Sequence, residues 1–173
     1  MTLNQYQTLA ARTISCHEHD NMRMHALHGL AAETGELIDA FYLADPCHDI
    51  AAVRELGDVC WMLAELCTAY GWNMADLCNE ETKPHRLYDC MWIAKYVGEL
   101  HGIYQKRYQG HRISEDDVRK CIRGVWKGII TTLNGLPGYS LNDVLYINID
   151  KLRKRYPDGF DVEHSLHRTP DDT

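Results

Sequence analysis

Between a small number of breaks, the apolar residues of this 173-residue chain recur every three to four positions, and nowhere do β-branched residues alternate as a strand face requires. The breaks fall at Asp45-Pro46, Tyr70-Gly71, Lys83-Pro84, Gln109-Gly110, the stretch from Asn134 to Gly138, and Pro157. They predict helices over 2–14, 21–44, 50–70, 73–81, 85–108, 114–134 and 140–155, and no sheet. The expected fold class is all-α, a helical bundle of antiparallel hairpins. One domain over 1–163 should end in a polar, aperiodic, flexible tail over 164–173.

Composition narrows the function classes. Lys plus Arg number 18 against 25 for Asp plus Glu, and the formal charge of −7 supplies no basic footprint for duplex nucleic acid. No apolar run is long enough to cross a bilayer, and Met1-Thr2-Leu3-Asn4-Gln5 lacks a signal-peptide core. The expectation is a soluble, cytoplasmic protein without a membrane partner, for which a homo-oligomer stays open. None of the seven cysteines forms a Cys-x-x-Cys pair, and Cys60, Cys67 and Cys78 sit among apolar residues as core thiols rather than zinc ligands.

The two halves align on each other. Ala31 to Ile50 matches Ala94 to Ile113 at an offset of 63, with Gly35-Glu36-Leu37 on Gly98-Glu99-Leu100. Val53-Arg54 and Trp61 fall on Val118-Arg119 and Trp126 at offset 65, and Gly71 and Asp76 fall on Gly138 and Asp143 at offset 67. A degenerate internal repeat of about 21–83 and 85–155 is therefore expected.

The chemical signal is acidic. In the helix expected from Asn21, the apolar stripe reads Leu27, Leu30, Ala31, Ile38 and Phe41, which leaves Glu33 and Glu36 on a face with Gly29, Ala32 and Ala40. No Lys or Arg stands three or four residues from either carboxylate, as it would on an ordinary solvated face. After 18 intervening residues Glu55 and Asp58 repeat the spacing on the next helix, with Arg54 as the nearby cation. Antiparallel packing lets the pairs face one another, and four like charges brought together call for cations between them. Hard oxygen donors in that number suit Mg²⁺, or Mn²⁺ in its place. On the last long helix, Asn148 interrupts the stripe Leu141, Val144, Leu145 and Leu152 and so needs a polar partner, with Lys151 and Arg155 flanking the same side.

Glu33-x-x-Glu36, a spacer, and Glu55-x-x-Asp58 inside Arg-Glu-Leu-Gly-Asp-Val-Cys-Trp resemble the metal-binding signature of the MazG-like, all-α nucleoside triphosphate pyrophosphohydrolases. Asn148-x-x-Lys151-Leu152-x-x-Arg155-Tyr156-Pro157-Asp158-Gly159-Phe160 is similar to the closing motif of that family, in particular of its phage and bacterial single-domain members. Together the matches span about residues 3 to 160. The resemblance implies hydrolysis of a nucleoside triphosphate between its α- and β-phosphates with Mg²⁺, giving nucleoside monophosphate and pyrophosphate, in nucleotide-pool control. Glu33, Glu36, Glu55 and Asp58 would hold the metal, and Glu33 or Glu36 would also activate the water. Asn148 would fix the helix or contact the nucleotide, Lys151 and Arg155 would neutralise phosphates, and Trp72, following Gly71 at a helix end, is the tryptophan best placed to stack on a base. The alternatives are phosphoribosyl-ATP pyrophosphohydrolase, which uses a similar acidic helix pair, and a non-catalytic helical module that senses nucleotides or binds a partner. Cys16-His17-Glu18-His19-Asp20, with His25 and His28, lacks ligand spacing and reads as a polar turn. At the repeat positions matching the four acids stand Tyr96, Glu99, Lys120 and Arg123, so the second half is expected to hold no metal and to contribute structure or basic groups.

Overall fold

The computed structural model of the protein describes residues 1–42, 49–78 and 90–167. These fold as α1 (Leu3–Ala10) with a 3-10 turn Ala11–Thr13, α2 (His19–Tyr42), α3 (Asp49–Ala69), α4 (Met74–Leu77), α5 (Cys90–Tyr108), α6 (Glu115–Leu133), α7 (Leu141–Arg155) and α8 (Val162–Leu166), with no strand among the described residues. The all-α expectation holds. Local chemistry sets most of the ends. Thr2 and Gln5 close a capping box on α1, Ser140 and Asp143 another on α7, and Ser114 accepts from the Asp117 amide at the start of α6. Gly71, at φ 68°, takes the left-handed conformation that lets the chain leave α3.

Three boundaries depart from expectation. The first helix stops at Ala10 and tightens into a 3-10 turn instead of running to residue 14. The helix expected over 73–81 is a single turn, α4, and residues 79–81 lie outside the described part, as do 85–89 of the next. The expected tail contains part of α8, because Asp161 caps it by accepting from the His164 amide; residues 168–173 lie outside the described part.

The bundle is built around α3, which packs on α2, α7, α1 and α6. Burial on nearly every side explains why apolar residues fill almost its whole circumference from Ala52 to Cys67. On α2, facing residues run in opposite order to those on α3: His25 meets Glu65, and a Cβ on Gly29 would run into the Met62 side chain. The hairpin is thus antiparallel. The same order holds for α5 and α6, where Gly128 faces Ile93, Gly124 faces Tyr96 and Cys121 reaches Glu99. One core joins Leu27, Leu30 and Leu37 to Leu56, Leu63, Ile93, Leu100, Val125 and Trp126. Within α2 the buried stripe is Met22, Ala26, Leu27, Leu30, Thr34 and Leu37. Ala31, expected inside, is exposed, because α2 must face both α3 and α5 and is rotated to suit both. Five described cysteines, Cys60, Cys67, Cys78, Cys90 and Cys121, are buried free thiols, and burial pushes Cys67 up to about 12. No described helix is long and apolar enough to cross a membrane.

Candidate metal centre

Glu33 lies one turn from Gly29 on α2, and Asp58 one turn from Met62 on α3, so the close approach of Gly29 to Met62 brings the two acids face to face. Glu55, one turn earlier on α3, joins them: one oxygen from each of Glu33, Glu55 and Asp58 lies within 4.8 Å of the others. Asp58 is 5% exposed, while Glu33 and Glu55 are half-buried. Burial pushes the Glu33 carboxyl up to about 7, helped by the charges of Asp58, Glu36 and Glu55 and opposed by Lys151. Glu55 is raised as well, by burial first and by Asp58 next, with Lys151 and Arg54 acting against the shift. Glu36, expected as a fourth member, is exposed and stands outside the group of three, although its charge is felt by Glu33 and Glu55.

Asp58 is held by a chain of buried polar groups. Asn148 Nδ2 donates to Asp58 Oδ1 at 2.8 Å, and Lys151 Nζ donates to Asp58 Oδ2. The Tyr6 hydroxyl donates to Asn148 Oδ1 at 2.7 Å and lies 3.3 Å from the Gly57 carbonyl oxygen. Burial pushes the Tyr6 phenol well above its ordinary range, so it remains a donor. Gly57 makes this contact possible, since a Cβ there would stand 2.9 Å from Asn148 Cβ. Asn148 thus has the partner its place in an apolar stripe demanded. Nothing local marks Tyr6, which arrives from 142 residues away in sequence.

The remaining expected residues are placed differently. Arg155 is buried, one turn beyond Lys151 on α7. Trp72 stands past the far end of α3, more than about 15 Å of helix from Asp58. Its indole stacks on Tyr70 at 4.3 Å and 17°, and the Arg119 guanidinium lies 4.2 Å from its centroid. Both faces are covered, so this tryptophan offers none to a base. Lys120 lines a groove between α5 and α6, and Arg123 acts on Cys78; neither contributes to the shifts of Glu33 or Glu55. Among the described residues, the histidines around Cys16 join no cluster of three metal-ligating groups. Sequence reasoning missed one buried acid. Glu65 is 1% exposed and meets His25 Nδ1 at 2.9 Å, and this bond raises the His25 pKa against the opposing effect of burial. The signal was present as a lone acid inside Met62-Leu63-Ala64-Glu65-Leu66-Cys67.

Three carboxylate oxygens at this spacing suit one six-coordinate hard cation, whose ligand oxygens stand roughly 3–4 Å apart, leaving other positions for water and phosphate. The donor set fits Mg²⁺, whose charge would offset the repulsion that Asp58 and Glu36 add to the effect of burial on Glu33 and Glu55. A second ion, as an acidic cage of four would take, requires Glu36 to turn inward. No family model, curated protein or solved structure matches the chain.

Proposed function

We propose that the protein is a Mg²⁺-dependent nucleoside triphosphate pyrophosphohydrolase of the MazG-like all-α type, its second hairpin a degenerate copy of the first. The observation that carries the reading is the convergence of Glu33, Glu55 and Asp58 from facing turns of two helices, with Asp58 oriented by Asn148. When bound, Mg²⁺ would neutralise phosphoryl oxygens at the bond to be cleaved. Water adds to the α-phosphorus, the bond to the bridging oxygen breaks, and pyrophosphate leaves with that oxygen and the bonding pair. Glu36, exposed beside the cluster and outside the group of three, is the carboxylate free to take the water's proton. Asn148 and Tyr6 fix the Asp58 carboxylate, and Lys151 adds a positive charge at the same edge.

The duplication is supported by the shared antiparallel order of the two hairpins. The offsets of 63 and 65 carry the facing pair Gly29 and Met62 onto Trp92 and Lys127, and the Lys127 ammonium lies 5.1 Å from the Trp92 ring.

A second reading, a nucleotide-sensing module without turnover, is favoured by the Lys151 contact, which already gives Asp58 a cation. Pyrophosphate release from a panel of nucleoside triphosphates in Mg²⁺ separates the two. The enzyme reading expects release that Glu33→Gln abolishes; binding without release from any of the panel would overturn it. Millimolar Mg²⁺ should also raise the melting temperature by binding the folded state, and the substitution of Glu33, Glu55 and Asp58 together should erase that rise.

A further inference from the structure

Beside the acidic cluster lies a groove of about 490 Å³ between the first turns of α3 and the outer face of α7. Arg54, Lys151, Arg153 and Lys154 line it against one acid, Asp150, in a chain whose formal charge is −7. The groove borders the cluster through Lys151, which bonds Asp58, and through Arg54, next to Glu55 on α3. Arg153 makes no ion pair among the described residues, and the pair of Lys154 with Asp150 is 70% and 64% exposed and easily exchanged. The wall between the cations is apolar, formed by Ile50, Ile147 and Tyr146, the last 53% exposed. An apolar wall lowers the local dielectric and leaves cation–anion attraction less screened than on an open surface. At the opposite pole, by contrast, Arg23 and Arg107 are both tied to Asp20.

We propose that this groove holds the β- and γ-phosphates, the group that leaves as pyrophosphate, so that the nucleoside lies on the other side of the cluster. The inference rests on the pyrophosphohydrolase reading and adds a direction to it. A triphosphate whose α-phosphorus sits at the three carboxylates reaches the groove cations with the two phosphates that gain charge as the bond breaks. Arg153 and Lys154 then select for length of the phosphate chain rather than for the base.

Calorimetric titration of the full chain with pyrophosphate, and separately with a nucleoside monophosphate, in Mg²⁺ tests this. Arg153→Glu with Lys154→Glu should weaken pyrophosphate binding by about tenfold or more and leave monophosphate binding within about twofold. Lys106→Glu with Lys120→Glu changes net charge equally in the groove between α5 and α6 and should change neither. Arg153→Gln with Lys154→Gln, which spares the end of α7 two added negative charges, should show the same pattern at smaller size. The proposal is overturned if the intact protein does not bind pyrophosphate, if the control pair weakens it as much, or if monophosphate binding falls in step. Pyrophosphate binding that depends on Arg153 and Lys154, together with no release from any triphosphate, would support the groove while removing the enzyme reading alone.

Discussion

The two long hairpins share an antiparallel design and differ in how they handle charge. Between α5 and α6, and along their outer faces, charges have partners within reach: Lys95 with Glu99, Arg119 with Glu115 and Asp116, Lys127 over the Trp92 ring. At the seam between α2 and α3, three carboxylates gather, and Lys151, which bonds Asp58, comes from a different helix. Packing did not require the acids, since the second hairpin closes over Tyr96 and Gly124 without them. A feature that one hairpin lacks and the other maintains at an electrostatic cost is therefore the feature on which the proposed chemistry rests.

The sharpest break of this comparison is catalytic. Glu33→Gln or Glu55→Gln should lower pyrophosphate release at least about 100-fold, whereas Tyr96→Phe and Lys120→Gln, at the matching positions of the second hairpin, should stay within about twofold. Loss of activity on changing Lys120 as large as on changing Glu33 would place the second hairpin in the site.

Stability should next separate the tie that holds Asp58 from ordinary surface contacts. Asn148→Ala leaves Asp58 Oδ1 without the amide in a buried place and the Tyr6 hydroxyl with only its longer contact to the Gly57 carbonyl oxygen, and should cost about 3 kcal/mol, or roughly 6–12 °C in melting temperature. An unchanged urea midpoint would mean that water replaces the amide.

A smaller effect is expected from pH in EDTA. The folded-state pKa of Glu33 is raised from 4.5 to about 7, so its protonated form is the one that folding favours. That contribution is complete below about 4.5 and is lost as pH rises through about 7. Glu55 and the His25 pairing with Glu65, both raised, act in the same direction. Because Glu33 is half-exposed, solvent screening reduces its share to about 1 kcal/mol. Glu33→Gln should flatten the fall in melting temperature over this window, and a slope identical in both proteins would assign it elsewhere.

The smallest change should come from the paired face. Arg119→Gln removes exposed ion pairs to Glu115 and Asp116 and a cation over Trp72, and thermal unfolding should show about 1 kcal/mol or less. A loss as large as that of Asn148→Ala would show that the stack of Arg119, Trp72 and Tyr70 secures the end of α3.

What could be read directly from the residues was whatever closes within one helix. Breaks at Gly71 and Pro157, the serine caps of α6 and α7, and the i, i+3 spacing of each acid pair depend on hydrogen bonds and side-chain directions inside a turn or two. The sequence therefore determined the helices, the antiparallel hairpins, and the need of Asn148 for a partner. Rotation of each helix about its axis was decided by the neighbours on all its sides, at about 100° per residue. That rotation exposed Ala31 and left Glu36 outside the group that Glu33 joins, although the two acids share one spacing. It also brought Tyr6 to Asn148 and Lys151 to Asp58 from opposite ends of the chain, and closed both faces of Trp72. Contacts of this kind are chosen by packing the whole core at once, and no local pattern encodes them.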